Sequence, residues 1–185
     1  KQLRSMGRVS RLSVKAAEQA LQHAGLIDDS SIRDGRMGVA CGSSTGSTEE
    51  IKAFGNMLLN AVADGLNANS YIRMMPHTTA ANISIFFGLT GRVIPTSSAC
   101  TSGSQGIGYA YEAIRYGHQQ YMIAGGAEEL CPTQAAVFDT LYATSTRNDQ
   151  PECSPRPFDQ DRDGLVIGEG AGSLILEDLD SALAR

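Results

Sequence analysis

Residues 91–117, GRVIPTSSACTSGSQGIGYAYEAIRYG, constrain this chain more than any other stretch. A short β-type run (Arg92, Val93, Ile94) enters a turn of small residues, and Cys100 stands at that turn. A helical pattern follows, with Ile107, Ala110, Tyr111, Ile114 and Arg115 at three- and four-residue spacing. At the start of a helix, unpaired backbone N–H groups and the positive end of the dipole favour an anion. For a cysteine this means the thiolate, its nucleophilic form. Ser97, Ser98, Ala99, Thr101, Ser102 and Gly103 are small enough to let a substrate approach the sulfur. The competing fate of a free cysteine is a small buried hydrophobe, which is the commoner one. Spacing alone does not choose between the two.

Strand and helix signals alternate along the rest of the chain. Residues 37–41 read as a short buried strand running into GSSTGS (42–47), followed by a helix with Ile51, Phe54, Leu58 and Val62. Neither phosphate-loop pattern is present there, so 42–47 reads as a plain βα turn. Residues 64–76 read as a loop ending at Pro76, and 78–88 as a helix of small residues. Residues 121–124 form the next strand, with Gly125-Gly126 as its exit and Glu128 and Glu129 beyond. A helix over 132–142 and a turn-rich stretch over 148–164 lead to 165–176, apolar and β-like but cut by glycines at 168, 170 and 172. The pattern predicts an α/β fold with a largely parallel or mixed sheet.

The N-terminal 24 residues carry an amphipathic helical pattern. Lys1, Arg4, Arg8, Arg11 and Lys15 fall on one narrow arc, and Leu3, Met6, Val9, Val14, Ala17, Ala20 and Leu21 spread over the opposite side. A solvated face is the ordinary explanation. All five charges share one sign, however, and cations at a helix start oppose the macrodipole. An acidic partner explains both. Ser5 and Gly7 are the places where this helix can break.

The net charge of −5 argues against nucleic-acid binding by the chain as a whole. Cys41, Cys100, Cys131 and Cys153 lie far apart with no C-x-x-C pair, which points away from a metal site or a disulfide scaffold and toward a reducing compartment. The longest apolar run, 83–89, is too short to cross a bilayer. No apolar h-region follows the basic N-terminus. A cytoplasmic protein without membrane attachment is expected. The sequence opens at Lys1 in a helix-like pattern and closes on the start of another helix, so a piece of a longer protein is expected too.

A cysteine nucleophile needs a group to manage protons and donors to hold an oxyanion. The histidines are His23, His77 and His118. His23 and His118 sit at helix ends and are expected to be exposed. His77, beside the small-residue helix, is the one candidate base, and a weak one. The sequence supplies a nucleophile without a convincing partner.

GRVIPTSSACTSGSQGIGYAYEAIRYG resembles the active-site segment of the β-ketoacyl-acyl carrier protein synthases of types I and II. IAGGAEEL (123–130) and STRND…SPRPFDQDRDGLVIGEGAGSLILEDLDSALAR (145–185) agree in order and spacing, and CGSSTGS (41–47) is similar to the family's glycine-rich strand exit. The R-P-F-D-x-x-R-D-G-x-V-x-G-E-G-A-G core within the second is very specific. The resemblance covers essentially the whole chain. S-S-A-C-T-S-G differs from the surroundings of the cysteine in type III synthases and thiolases, and from the D-T-A-C-S-S-S of modular polyketide ketosynthases.

The resemblance implies a thiolase-like fold of α-β-α-β-α layers, of which residues 1–185 are the N-terminal ketosynthase domain, incomplete at both ends, with the first half and the start of the connection. It implies a homodimer and a decarboxylating Claisen condensation of fatty acid synthesis, with no cofactor and no metal. Cys100 takes an acyl chain from acyl carrier protein, and malonyl carrier protein supplies the carbanion. The Cys100 N–H is half of the oxyanion hole, Phe138 lines the acyl tunnel, and Thr45 falls where tunnel depth is set. Lys1, Arg4 and Arg73 match positions that dock the acidic carrier protein; Arg8, Arg11 and Lys15 need not take part. The family's opening strand and second half, with two catalytic histidines, a lysine and a glycine-rich loop, have no counterpart here. The three histidines match neither catalytic one. The resemblance therefore implies that this piece alone is inactive and exposes apolar faces made for the missing half. A secondary-metabolite ketosynthase, a chain-length partner and a non-catalytic carrier-protein-binding module are the alternatives; retention of Cys100 argues against the chain-length partner.

Overall fold

The strand Met37–Gly42 (β1) is buried at every position. It pairs in parallel with Val93–Thr96 (β2) on one side and with Tyr121–Glu128 (β3) on the other. Gly170–Glu177 (β4) adds antiparallel to β3, giving the order β2-β1-β3-β4. The computed structural model describes residues 2–185, the side chain of Gln2 excepted, so the carrier-docking expectation for Lys1 lies outside the described residues. The chain divides into two units. The first runs to Glu128 and resumes over Gly170–Arg185; the second is Glu129–Glu169.

In the first unit, alternate side chains of each strand point to opposite faces of the sheet, as a pleated strand requires. Met37, Val39, Cys41, Tyr121 and Ile123 meet large side chains of the helices Arg8–His23 (α1) and Thr78–Phe87 (α4): Val14, Leu21, Ile83 and Phe87. Ala40, Met122 and Ala124 face the other way, onto Ala110 and Ala113 of Ser102–Arg115 (α5). Cover on both faces makes β1 a continuous apolar run without polar alternation.

The α5 interface corrects the helix face read from the sequence. Ile107 and Tyr111 stand 38% and 58% exposed, while Gly106, Ala110 and Ala113 are buried. The small side chains face the sheet because the helix lies almost on it. A Cβ at Gly106 would stand 2.8 Å from the Ala40 carbonyl oxygen. Similarly, β3 does not exit at Gly125-Gly126 but continues to Glu128. A Cβ at Gly125 would stand 2.0 Å from the Gly172 carbonyl oxygen, so this glycine serves strand approach and not a turn. β4 begins at Gly170, leaving 165–169 outside it.

Two further boundaries differ. The N-terminal pattern splits at Gly7 into a 3-10 turn, Gln2–Ser5, and α1, which leaves Leu3 exposed. Residues 64–76 contain a helix, Ala68–Met74 (α3), whose cap was readable: the Asn67 side chain accepts from the N–H groups of Asn69 and Ser70. The helix Ile51–Asn60 (α2) forms as expected but buries none of its residues, and Leu58 and Leu59 are about 80% exposed. In the second unit, Pro132–Thr140 (α6) precedes a polar stretch folded around Asp163. The Asp163 carboxylate accepts from Ser145 Oγ at 2.6 Å and pairs with Arg147 Nε at 3.4 Å. Large side chains are exposed here too, Tyr142 and Phe158 almost fully.

The helix Leu179–Ala184 (α7) is tied back by Glu177. Arg185 approaches that carboxylate with two nitrogens, Nε and Nη2, and donates from Nη1 to the Ala24 carbonyl at 2.7 Å. Arg185 first, and then Ser181, hold Glu177 below the ordinary carboxylate range against the opposing effect of burial. A carboxylate lowered in this way stabilises the fold above its unfolded pKa, and the contribution fades as pH falls through the folded value.

Two outcomes follow. Gly106→Ala destabilises by about 1–3 kcal/mol through overpacking, whereas Gly108→Ala, with open space around it, stabilises by up to about 1 kcal/mol through helix propensity; urea titrations of both variants show the opposite signs. Glu177→Gln lowers the melting temperature at pH 7, and the difference from wild type narrows as the pH falls through the lowered folded pKa of Glu177.

Candidate active site

The parallel neighbours β1 and β2 end at Gly42 and Thr96, which are register partners. The chain leaving β1 comes back through α4 on one face of the sheet, and the chain leaving β2 enters α5 on the other. Departure to opposite faces opens a crevice outside the carboxyl ends of the two strands, the usual ligand site of an open α/β sheet. Cys100 lies four residues beyond Thr96, in the turn that begins α5.

That turn is held from within. Ser102, 4% exposed, accepts from the Ser98 N–H at 2.9 Å and donates to the Ala99 carbonyl at 2.7 Å. Thr96 Oγ1 donates to the Ser102 carbonyl, and Thr101 Oγ1 to the Ser98 carbonyl. Ala99 is forced to φ +54°, the left-handed region that costs a residue with a Cβ about 1 kcal/mol or more. The small residues thus do more than leave room: Ser98 and Ser102 build the turn. Its product is an exposed Cys100 whose thiol has no hydrogen-bond partner among the described residues. The N–H groups of Gly103 and Ser104 behind it find no backbone acceptor there either, as the first turn of a helix dictates.

The other cysteines differ in kind. Cys41 is buried on β1, and burial pushes its thiol up to about 11. Cys131 is buried with its sulfur 2.9 Å from Thr133 Oγ1, and Cys153 is half-buried.

The loop after β1 is fixed by a residue to which the sequence assigns no role. Glu128, at the end of β3, accepts from the Ser44 N–H at 2.6 Å and from Ser43 Oγ and Thr45 Oγ1 at 3.0 Å each. Thr45 is exposed and anchored by that bond. Glu128 was visible only as an acid following a glycine pair; nothing local marks a carboxylate whose donors lie more than 80 residues earlier.

Arg4 is exposed, as are Arg8, Arg11 and Lys15, the last paired with Glu18. Arg73 is half-buried: Nη1 pairs with Glu50 at 2.9 Å and Nε donates to the Arg4 carbonyl at 2.8 Å. Phe138 is half-buried on α6 in the second unit. His23, His77 and His118 are all exposed.

Residues 1–182 match the family model described as "Beta-ketoacyl synthase, N-terminal domain". The chain belongs to the β-ketoacyl synthase family. Among curated relatives, "3-oxoacyl-[acyl-carrier-protein] synthase 2" of Vibrio cholerae is 38% identical over 186 residues, which cover all of this chain and 45% of the relative. A solved β-ketoacyl synthase from Burkholderia phymatum superposes with TM-score 0.95 at 62% identity, covering 100% of this chain and 45% of that one. A ketosynthase solved with its acyl carrier protein, in the type II polyketide complex AntDE:AntF, superposes with TM-score 0.79 at 32% identity, over 98% of this chain and 46% of that one. These neighbours are thiolase-like, so the sheet and its helices are the N-terminal half of that fold. The chain spans less than half the length of the relatives it matches. Among the described residues no helix is long and apolar enough to cross a membrane.

Burial and accessibility together order the thiols. With iodoacetamide at pH 8, Cys100 is alkylated first, while Cys41 and Cys131 react only after unfolding; peptide mass spectrometry along a labelling time course gives the order.

Proposed function

We propose that this chain carries the acyl-accepting nucleophile of a condensing enzyme that extends an acyl chain from acyl carrier protein. The observation that carries the reading is the exposed Cys100 thiol, presented by a strained, serine-braced turn at the start of α5. The thiolate attacks the thioester carbonyl of an acyl carrier; the Sγ–C bond forms and the carrier's thiolate departs. Malonyl carrier then loses carbon dioxide, and its carbanion attacks the acyl-Cys100 carbonyl. The new C–C bond displaces Cys100 Sγ, which is free for another round. The Cys100 N–H serves as one donor to the oxyanion in both steps. Phe138 and Thr45 contribute to acyl binding on the strength of their family matches. None of His23, His77 and His118 matches either catalytic histidine of the family.

Fatty acid elongation is the preferred setting, because the curated relative named above is a 3-oxoacyl-[acyl-carrier-protein] synthase. The acidic carrier protein docks on the basic surface that includes Arg4, with Lys1 and Arg73 in support, in the cytoplasm and without nucleic acid or membrane. A homodimer is supported by the outer edge of β2, which no described strand covers and on which Val93 is exposed.

The test is intact-mass analysis of the natural full-length polypeptide after incubation with octanoyl carrier protein. An octanoyl adduct on the Cys100 peptide, lost in Cys100→Ala, is the expected result. Arg4→Glu weakens carrier binding several-fold at low salt, and less in high salt. Carrier binding that survives Cys100→Ala, with no adduct in the wild type, overturns the enzyme reading in favour of a carrier-binding module.

A further inference from the structure

We infer that Glu128 is a positioning residue that holds the 43–46 loop as a rigid wall of the crevice and thereby sets which acyl groups reach Cys100. The inference deepens the reading of Cys100 as the acyl acceptor and rests on it.

The Glu128 carboxylate can only accept hydrogen bonds. It takes three from consecutive residues of one loop: the Ser43 hydroxyl, the Ser44 N–H and the Thr45 hydroxyl. Ser43 Oγ in turn accepts from the Gly46 N–H at 2.9 Å, so all four residues of the loop are tied to one carboxylate. No cation pairs with Glu128 among the described residues. Its charge is therefore spent wholly on the loop.

The placement gives this a consequence beyond stability. The loop begins one residue past Gly42 and the Cys100 turn one residue past Thr96, the register partner of Gly42. Neighbouring strands lie about 4.8 Å apart. The tied loop and the nucleophile turn therefore leave the sheet side by side at the same edge. Loops beside ligand sites are ordinarily the mobile part of a fold; this one has a fixed outline. A side chain that served only to join β1 to β3 would change unfolding but not the selection of one acyl reagent over another.

The experiment uses the natural full-length polypeptide and measures the rate of Cys100 alkylation by iodoacetamide and by N-dodecyl iodoacetamide. Acyl transfer from butyryl and dodecanoyl carrier proteins is followed in parallel. Glu128→Ala is expected to shift the long-to-short rate ratio by about fivefold or more, on the scale of charged hydrogen bonds, with iodoacetamide itself changed less than about twofold. Thr45→Val shifts the ratio in the same direction, and the double variant matches Glu128→Ala, as expected when one residue acts through the other. A folded Glu128→Ala protein with the wild-type ratio overturns the inference. Should Glu128→Ala fail to fold, Ser43→Ala, which removes one of the carboxylate's donors outside the acyl site, decides: a shifted ratio supports the wall and an unchanged one overturns it. If the ratios respond while the wild type takes no acyl group from either carrier, the wall stands and the condensing reading falls.

Discussion

The placement of the nucleophile depends on one close contact, that of α5 with the backbone of β1 and β3. The two faces of the sheet are built differently. Methionine, leucine, isoleucine and phenylalanine fill the space under α1 and α4, whereas alanines make up most of the α5 face. Large side chains hold helices at a distance and can repack when strained. An interface of alanine and glycine has almost no rotamers to change and sets the helix by backbone contact. Gly106 is the limiting case, because no side chain fits between α5 and the Ala40 carbonyl. The Cys100 turn is the first thing upstream of that helix, so it inherits the helix's fixed position. A reactive atom must be held within a fraction of an ångström to be useful, and an interface without rotamer freedom is suited to that.

Much of this was legible in the sequence because it is local. The strand-turn-helix around Cys100, the buried run of β1 and the small-residue helix α4 each carry their signal within a dozen residues. The misreadings share a cause. Reading a helix face from its large apolar residues assumes that large residues face the core, and α5 reverses this because its contact distance admits only small ones. A glycine pair reads as a strand exit because glycine usually marks a turn, but Gly125 marks the approach of β4 and Gly126 that of α5. The helix α3 was hidden by its shortness, although Asn67 announced it. Glu128 is different, since three hydrogen bonds across more than 80 residues of sequence leave no local trace. Long-range polar contacts are the part of a site that pattern does not carry.

The turn itself divides its tasks among atoms that look interchangeable in the sequence. Five of the seven residues from Thr96 to Ser102 are serine or threonine. Thr96 and Ser102 are buried and fix backbone, while Ser97 and Thr101 are exposed. Ser102 bonds the Ser98 N–H and the Ala99 carbonyl, Thr96 bonds the Ser102 carbonyl, and this bracing allows the strained Ala99 to persist beside the thiol. The strain is useful because it turns Cys100 outward at the point where the helix backbone donors begin. An alanine interface, a serine brace and a left-handed residue thus converge on one exposed sulfur.

The same division of labour bears on how a carrier protein would be met. Arg4 and Arg73 look equivalent as cations, but their surroundings separate them. Arg73 gives one nitrogen to Glu50 and another to the backbone of Arg4, and its side chain is only 29% exposed. A half-neutralised, half-buried guanidinium contributes little long-range field, yet it fixes the backbone from which Arg4 projects. On the proposed reading, an acidic partner is therefore attracted by Arg4 and its exposed neighbours on α1, and Arg73 acts by keeping Arg4 in place. Loss of either arginine weakens docking, but for different reasons. Added salt screens the contribution of Arg4 and leaves that of Arg73 largely intact, because a hydrogen bond to a backbone carbonyl is not a surface charge.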